Sequence, residues 1–368
     1  MINNNFTFDD LIILELANNH WGNIDRGLKI ISDYGKIFRF NNVRGAIKLQ
    51  FRDVDKFIHK DFRDYDNVRY IKKTMDTKLS RDEYKILIEA IKSNSCLTMA
   101  TPFDEASVTL CEELDVQIIK IASSDINDWI LIEKIAATRK PVIFSTGGSS
   151  LKDVDDIVSF FTKRKIPFAL NHCISIYPSD QEDLELNQLD FVRNRYPGIP
   201  IGFSTHEYND TLSSSVMMAY AKGARIIERH IDIDYQDVPV SPYCSLPEDI
   251  DKMVKTYNQA KLACGQPGTN KRIPKKKEIE YLDQLVRGVY VAKDIKVGHA
   301  LSDKDVYLAI PLLKGQISCR EFISGEVLLK PCIKDQPIMI DDIDSPYSDN
   351  PSLKEMIYRR GIDIKKQD

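Results

Sequence analysis

Apolar residues fall in short unbroken runs along the first 265 positions, with amphipathic stretches between them. The runs are LIILELA (11–17), GAIKLQF (45–51), CLTMATPF (96–103), QIIKIAS (117–123), PVIFSTG (141–147), PFALNHC (167–173), IPIGFSTH (199–206) and RIIERHID (225–232). They are continuously apolar rather than alternating, the pattern of parallel strands covered on both faces. Segments such as EASVTLCEELD (105–115), NDWILIEKIAAT (127–138) and DTLSSSVMMAYAKG (210–223) read as helices between them. Gly223 stands where a C′ glycine ends the last of these, and an eighth helix is expected from about Pro247 to Cys264. Strands alternating with helices in this way predict an α/β chain folded as a (β/α)8 TIM barrel. A doubly wound open sheet is the alternative, but it more often carries a glycine-rich turn after its first strand, where this chain has ELANNHWGN.

After Cys264 the texture changes. GQPGTNKRIPKKKEIE (265–280) is rich in Gly, Pro and Lys and reads as a solvated connection rather than a phosphate site. From Arg287 onward GVYVAKDI, KVGHALSDKDV, YLAIPLL and GEVLLKPCIKDQPIM read as short strands of a small all-β module. The expected organisation is a barrel over 1–265, a linker over 266–284, an all-β domain over 285–345 and a polar tail over 346–368, with one short helix in the tail.

Composition narrows the partners. A net charge of −4, with both signs well mixed, leaves no electrostatic footprint for nucleic acid or an anionic membrane. The seven cysteines are scattered and form no CxxC pair, which argues for a reducing compartment and against a disulfide framework. The N-terminus MINNNFTFDD has no apolar signal core, and no apolar run approaches the ~18 residues of a membrane span. A cytoplasmic protein is expected.

In this fold the active site lies at the C-terminal ends of the strands. Those ends carry Glu15, Lys48 with Gln50, Thr101, Lys120 with Ser123, Ser145 with Thr146, His172 with Ser175, Ser204 with His206, and Glu228 with His230. Lysines inside apolar runs are costly unless an anion pairs with them. Two such lysines among several hydroxyls point to a pocket for a phosphate and a carboxylate. A single histidine at a strand end is more often a hydrogen-bonded core residue. His206 and His230, on adjacent strand ends with Glu228 beside them, point instead to a divalent metal. Lys120 also fits a Schiff-base lysine, or a partner of Glu15 or Asp125. Cys173 reads as packing, Trp21 and Trp129 as core or rim, and His20 as a loop-shaping residue.

The motifs E15-L-A-N-N-H-W-G22, I47-K-L-Q50, T101-P-F-D104, I119-K-I-A-S-S-D125, F144-S-T-G147, N171-H-C-I-S-I-Y-P178, G202-F-S-T-H206 and I227-E-R-H230 follow one another in order. Together they resemble the N-acetylneuraminate (sialic acid) synthase family, which condenses phosphoenolpyruvate with an aldose. R287-G-V-Y-V-A-K-D-I-K-V-G298 resembles that family's C-terminal antifreeze-like (SAF) module. The resemblance implies His206 and His230 as ligands of a divalent metal, usually Mn²⁺. It implies Lys48, Thr101, Lys120, Ser123, Ser145 and Ser175 as the phosphoenolpyruvate site, and Glu15 and Glu228 as carboxylates near the sugar and the reacting carbons, with Lys120 among the catalytic groups. Gln50, Asp125, Tyr177 and Ser204 complete the substrate-binding set. It further implies a homodimer in which each antifreeze-like module reaches over the partner's barrel, and a product destined for surface polysaccharide.

Departures from the family pattern lie on the acceptor side. Its usual Asp-His pair is absent from V240-S-P-Y-C-S-L246, where Ser241 stands in this stretch, and Ile310 falls near its usual module arginine. Asp125 replaces a usual Glu, and Thr205 a usual Asp. The donor and reaction are therefore expected to be kept, with an acceptor other than N-acetylmannosamine. A metal-independent Schiff-base aldolase, a 3-deoxy-octulosonate-phosphate-type synthase and a non-catalytic glycan-binding barrel remain alternatives.

Overall fold

The computed structural model describes residues 6–65, 67–235, 238–266, 268 and 270–363. The chain divides into two compact units, Met1–Gln266 and Pro267–Asp368. In the first, strands β1 (Leu11–Ala17), β2 (Arg44–Phe51), β3 (Leu97–Pro102), β4 (Ile118–Ile121), β5 (Val142–Ser145), β6 (Phe168–Cys173), β7 (Ile201–Thr205) and β8 (Ile226–His230) close into a barrel in sequence order. All neighbouring pairs are parallel, and β8 pairs with β1.

Period-two alternation along these strands explains both the core and the site. The outward row, including Ile12, Leu14, Ile47, Leu49, Ile119, Phe144, Phe203 and Ile227, packs under the helices in one large core. The inward row begins at the N-terminal end with Leu11, Ile13, Ala46, Met99, Ile118, Ile143, Ala169 and Ile226, which with Phe8 plug the barrel. Two residues further along each strand the inward position becomes polar: Ile13 gives way to Glu15, Ala46 to Lys48, Met99 to Thr101, Ile118 to Lys120, Ile143 to Ser145 and Ile226 to Glu228. An apolar plug carries a polar floor because one face of each strand changes chemistry at the same height. The register sets that height, pairing Glu15 with Lys48 on one side and with His230 on the other.

Between β2 and β3 the chain makes an excursion that its apolar pattern did not announce. Short helices at Val54–Phe57 and Arg69–Asp76 and a 3-10 turn at Lys60–Phe62 precede the helix Arg81–Ser93. Elsewhere the helices fall close to the expected segments, at Glu105–Glu113, Trp129–Ala137, Asn209–Ala221 and Pro247–Cys264. Gly223 has a φ of 106°, as a C′ residue requires.

The second unit has its own core of Val289, Val291, Ile295, Leu301, Ile317, Leu328, Ile338, Ile340 and Ile343. Gly288–Val291 pairs antiparallel with Val306–Ala309, and Val327–Leu328 with Ile343–Asp344. The stretch expected as a linker contains a helix at Lys276–Asp283. The segment expected as a polar tail forms a helix at Pro351–Tyr358 whose Ile357 is buried in this core. Among the described residues no helix is long and apolar enough to cross a membrane.

Candidate active site

The C-terminal ends of the strands open into a cavity of about 1190 Å³. Glu15, Lys48, Gln50, Thr101, Lys120, Ser123, Asp125, Ser145, Ser175, Tyr177, Ser204, His206, Glu228 and His230 all line it. Two strand-end residues expected at the mouth do not. His172 points the other way, between strand and helix, and bonds the Leu184 carbonyl at 2.8 Å. Thr146 lies outside the lining, its hydroxyl donating to the Asn171 carbonyl at 3.3 Å. Parity explains His172: its neighbour Cys173, read as packing, takes the inward position and lines the cavity.

Glu228 is the hub of the floor. Its Oε1 accepts from Lys48 Nζ at 3.0 Å, from Lys120 Nζ at 3.3 Å and from Ser204 Oγ at 3.0 Å. Oε2 accepts from Asn171 Nδ2 at 3.4 Å. Burial alone would raise the Glu228 carboxyl, but Lys120, Lys48 and the bonds from Lys48 and Ser204 hold it well below the usual carboxylate range. Lys48 also forms an ion pair with Glu15 Oε2, while Glu15 Oε1 is buried without a partner. Burial pushes the Lys48 ammonium down to about 8, against the pull of Glu228. Lys120 donates to Ser145 Oγ at 2.7 Å and pairs with Glu228 rather than with Glu15 or Asp125. Two carboxylates and two ammoniums thus balance one another in a floor almost closed to solvent.

A glycine opens the adjoining wall. The Gly147 N–H donates to Ser123 Oγ at 3.0 Å. A Cβ at Gly147 would collide with Ser175 Oγ and lie 2.9 Å from Ser123 Oγ. The two hydroxyls flank a space that only a residue without a side chain leaves free.

His206 and His230 stand on the other side, with ring centroids 5.2 Å apart. The His206 Nδ1–H donates to the Ile174 carbonyl at 2.8 Å, which leaves the lone pair on Nε2. A backbone acceptor on one ring nitrogen is how a ligating imidazole is held. Burial pulls His206 down to about 4 and His230 well below the ordinary histidine value, so both are neutral near neutral pH, as ligands must be. Tyr177 and Tyr243 pack against the pair, at 4.1 Å from His206 and 5.3 Å from His230 respectively. Among the described residues no cluster of three or more His, Cys, Asp or Glu could hold a metal. The two imidazoles fit a divalent cation only if water or substrate oxygens complete its shell.

Sequence reasoning missed the upper wall. Arg52, Phe57, Phe103, Tyr70, Lys73 and Tyr243 line the same cavity, most of them carried by the excursion after β2. One signal was available: Arg52 continues the alternate-residue row of Lys48 and Gln50. Of the acceptor-side departures, Asp125 lines the cavity and Thr205 is buried without lining it. Ile310 is exposed in the second unit.

The model of the NeuB family matches residues 43–269. A Chromobacterium violaceum crystal structure described as a spore coat polysaccharide biosynthesis protein E is 33% identical, with a TM-score of 0.86 over 91% of this chain and 99% of that one. The N-acetylneuraminate-9-phosphate synthase of Drosophila melanogaster is 27% identical over 90% of this chain and 95% of its own length. A pseudaminic acid synthase of Campylobacter jejuni is also 27% identical, over 82% of this chain and 88% of its own. The chain belongs to the NeuB family and is a transferase of the sialic acid synthase type.

Proposed function

We propose that the enzyme condenses phosphoenolpyruvate with an aldose and water to give a 3-deoxy-2-ulosonic acid and phosphate. The observation that carries this reading is the balanced floor of Lys48, Lys120, Glu15 and Glu228 beside two neutral imidazoles. Lys48 and Lys120 would exchange part of their pairing with Glu228 for the carboxylate and phosphate of the donor, with Thr101, Ser123, Ser145 and Ser175 as further donors. Fixed charges in a dry site act on the reacting centre without reorganising. A divalent cation held by His206 and His230, Mn²⁺ by resemblance, supplies Lewis acidity at the sugar aldehyde. The donor's C3 attacks that aldehyde carbon, and positive charge develops at C2. Glu15 or Glu228 orients the water that adds there, the proton this water gives up offsets the one taken by the former aldehyde oxygen, and the adduct then loses phosphate by cleavage of its C2–O bond.

The altered acceptor-side residues, Asp125 and the V240-S-P-Y-C-S-L246 loop, support an acceptor other than N-acetylmannosamine. The relatives themselves carry differently named products. We further infer a homodimer completed by exchange of the C-terminal modules, and a product that enters a surface polysaccharide. Light scattering tests the first of these.

The reading is tested by phosphate release from phosphoenolpyruvate with Mn²⁺ across N-acetylmannosamine, mannose, arabinose and their deoxyamino relatives, with and without EDTA. Titration calorimetry of Mn²⁺ on the stripped protein and on a His206→Ala variant reads the metal directly. EDTA-sensitive release with one aldose, and metal affinity lost in the variant, are expected. A second reading draws on Lys48, which burial brings within reach of a neutral amine. Covalent trapping of a carbonyl substrate by borohydride, with activity surviving EDTA, would replace the synthase with a Schiff-base aldolase.

A further inference from the structure

The upper wall of the cavity holds buried polar atoms that the chemistry of the floor does not use. Arg52 lies one residue past β2, continuing the row of Lys48 and Gln50 that lines the cavity. Its guanidinium lies 3.7 Å from the Phe103 ring centroid and 5.6 Å from that of Phe57. Nη1 donates to Gln50 Oε1 at 3.0 Å, while Nε is buried with no partner. Asp125 lines the same cavity from the 3-10 turn Ser123–Asp125 after β4; Ser124 bonds its carboxylate, and Oδ2 is buried with no partner. The two side chains feel each other's charge without forming an ion pair. Asp104, the other carboxylate near Arg52, is already engaged by the backbone N–H groups of Asp53 and Ser107.

An orphaned donor and an orphaned acceptor sharing one wall define what would satisfy both. We propose that Arg52 and Asp125 are a specificity pair that grips hydroxyl groups at the upper end of the acceptor aldose and excludes a phosphate there. This rests on reading the site as a phosphoenolpyruvate–aldose synthase. A hydroxyl both donates and accepts, so neighbouring hydroxyls meet the Arg52 N–H and the Asp125 oxygen together. Phe103 and Phe57 give the sugar's C–H groups an apolar wall. A phosphate ester would satisfy Arg52 alone and bring its charge against Asp125, leaving Oδ2 unpaired. Lys73 also lines the cavity and pulls the other way, which makes the preference a measurable balance.

The experiment compares kcat/KM for N-acetylmannosamine, mannose and arabinose with that for their terminal phosphate esters, in wild type, Arg52→Gln and Asp125→Asn. Wild type is expected to prefer the best free aldose over any ester by about 10-fold or more. Arg52→Gln should lower kcat/KM for the free aldose about 10- to 100-fold and leave the KM for phosphoenolpyruvate unchanged. Asp125→Asn should narrow or reverse the discrimination against the ester, a change that a merely structural role would not produce. Faster turnover of an ester by wild type overturns the pair, as does an equal loss on both acceptor types in both variants. Titration calorimetry with phosphoenolpyruvate separates the two readings. A protein that neither binds the donor nor releases phosphate from it fails the function itself. One that turns the donor over but prefers esters fails only the pair.

Discussion

The floor of the barrel mouth, set on the strand ends, and the upper wall, carried by the segments that follow them, treat polar groups in opposite ways. On the floor Lys48, Lys120 and Glu228 are each held by at least two partners, while Glu15 Oε1 and Asn171 Oδ1 are left over. On the wall Arg52 Nε and Asp125 Oδ2 are buried with none. Buried ion pairs seldom stabilise a fold, because desolvation offsets their attraction. Four charges gathered on an apolar plug are therefore better understood as a site prepared for charge development than as a device for stability. On the wall Arg52 Nε and Asp125 Oδ2 are left for a substrate to meet.

The sharpest way to break that contrast is to remove the hub. Glu228→Gln keeps the shape but leaves Lys48 and Lys120 facing a neutral amide. Phosphate release is expected to fall about 10³-fold, the scale of losing one preorganised electrostatic contact. The denaturation midpoint should drop as well, since breaking a buried pair costs about 3 kcal/mol. Asp125→Asn, on the wall, should leave the midpoint close to wild type. Equal effects of the two variants on stability would erase the distinction.

Acid titration separates the floor from ordinary buried groups. His20 lies outside the cavity, almost fully buried in the loop after β1. Its Nδ1 accepts the Gly22 N–H at 3.0 Å and its Nε2 has no partner. Burial lowers its pKa from 6.5 to about 4. The unfolded chain takes up the proton first as pH falls, so stability present above 6.5 is lost progressively down to about 4, by about 3 kcal/mol in all. Glu228 depends on pH in the same direction but in a lower window. Its carboxyl is depressed, so its contribution is complete above the ordinary carboxylate value and is lost only as pH falls below it. His20→Asn retains an acceptor for Gly22 and should remove part of the loss between pH 6.5 and 4.5 in urea denaturation, leaving the part that belongs to His172, His206 and His230, without touching the loss at lower pH. An unchanged profile would mean that this loop is not where the first protons act.

Gly147 tests the floor's geometry rather than its charge. Alanine there collides with Ser175 and crowds Ser123. We expect the KM for phosphoenolpyruvate to rise about 100-fold, with the KM for the aldose little changed, the size of effect that small misplacements produce. A rise in the aldose KM alone would assign these hydroxyls to the acceptor.

The floor was legible in the sequence because its signal is local. A lysine, glutamate or histidine at the end of an apolar run is conspicuous, and parallel strands carry their ends to one mouth. His172 and Thr146 were misplaced for a related reason. An apolar run gives the strand but not its phase, and a shift of one residue turns a side chain from the cavity to the helices. The excursion after β2 was illegible as a wall. Its aromatic residues are half-exposed and scattered, and Phe57 and Phe103 come together only through the register of β2 with β3. The departures at Asp125 and in the loop before Leu246 could be seen, whereas the orphaned atoms on the wall could only be found in three dimensions.

The smallest expected effect probes whether wall and floor are mechanically independent. Ser80 caps the helix Arg81–Ser93, its hydroxyl accepting the Glu83 N–H at 3.3 Å while Glu83 Oε2 accepts the Ser80 N–H at 2.6 Å. That helix buries Leu87, Ile88 and Ile91 under the barrel, and the segment it follows supplies Phe57, Tyr70 and Lys73 to the wall. Ser80→Ala removes one of the two reciprocal bonds and should cost about 1 kcal/mol of stability. The cap lies at the wall's end of the helix, far in sequence from Lys120 and Glu228. Any functional trace should therefore be a modest rise in the KM for the aldose at constant kcat and constant KM for phosphoenolpyruvate. Equal movement of both KM values would mean that the excursion after β2 also positions the floor, and that the two regions act as one rigid body.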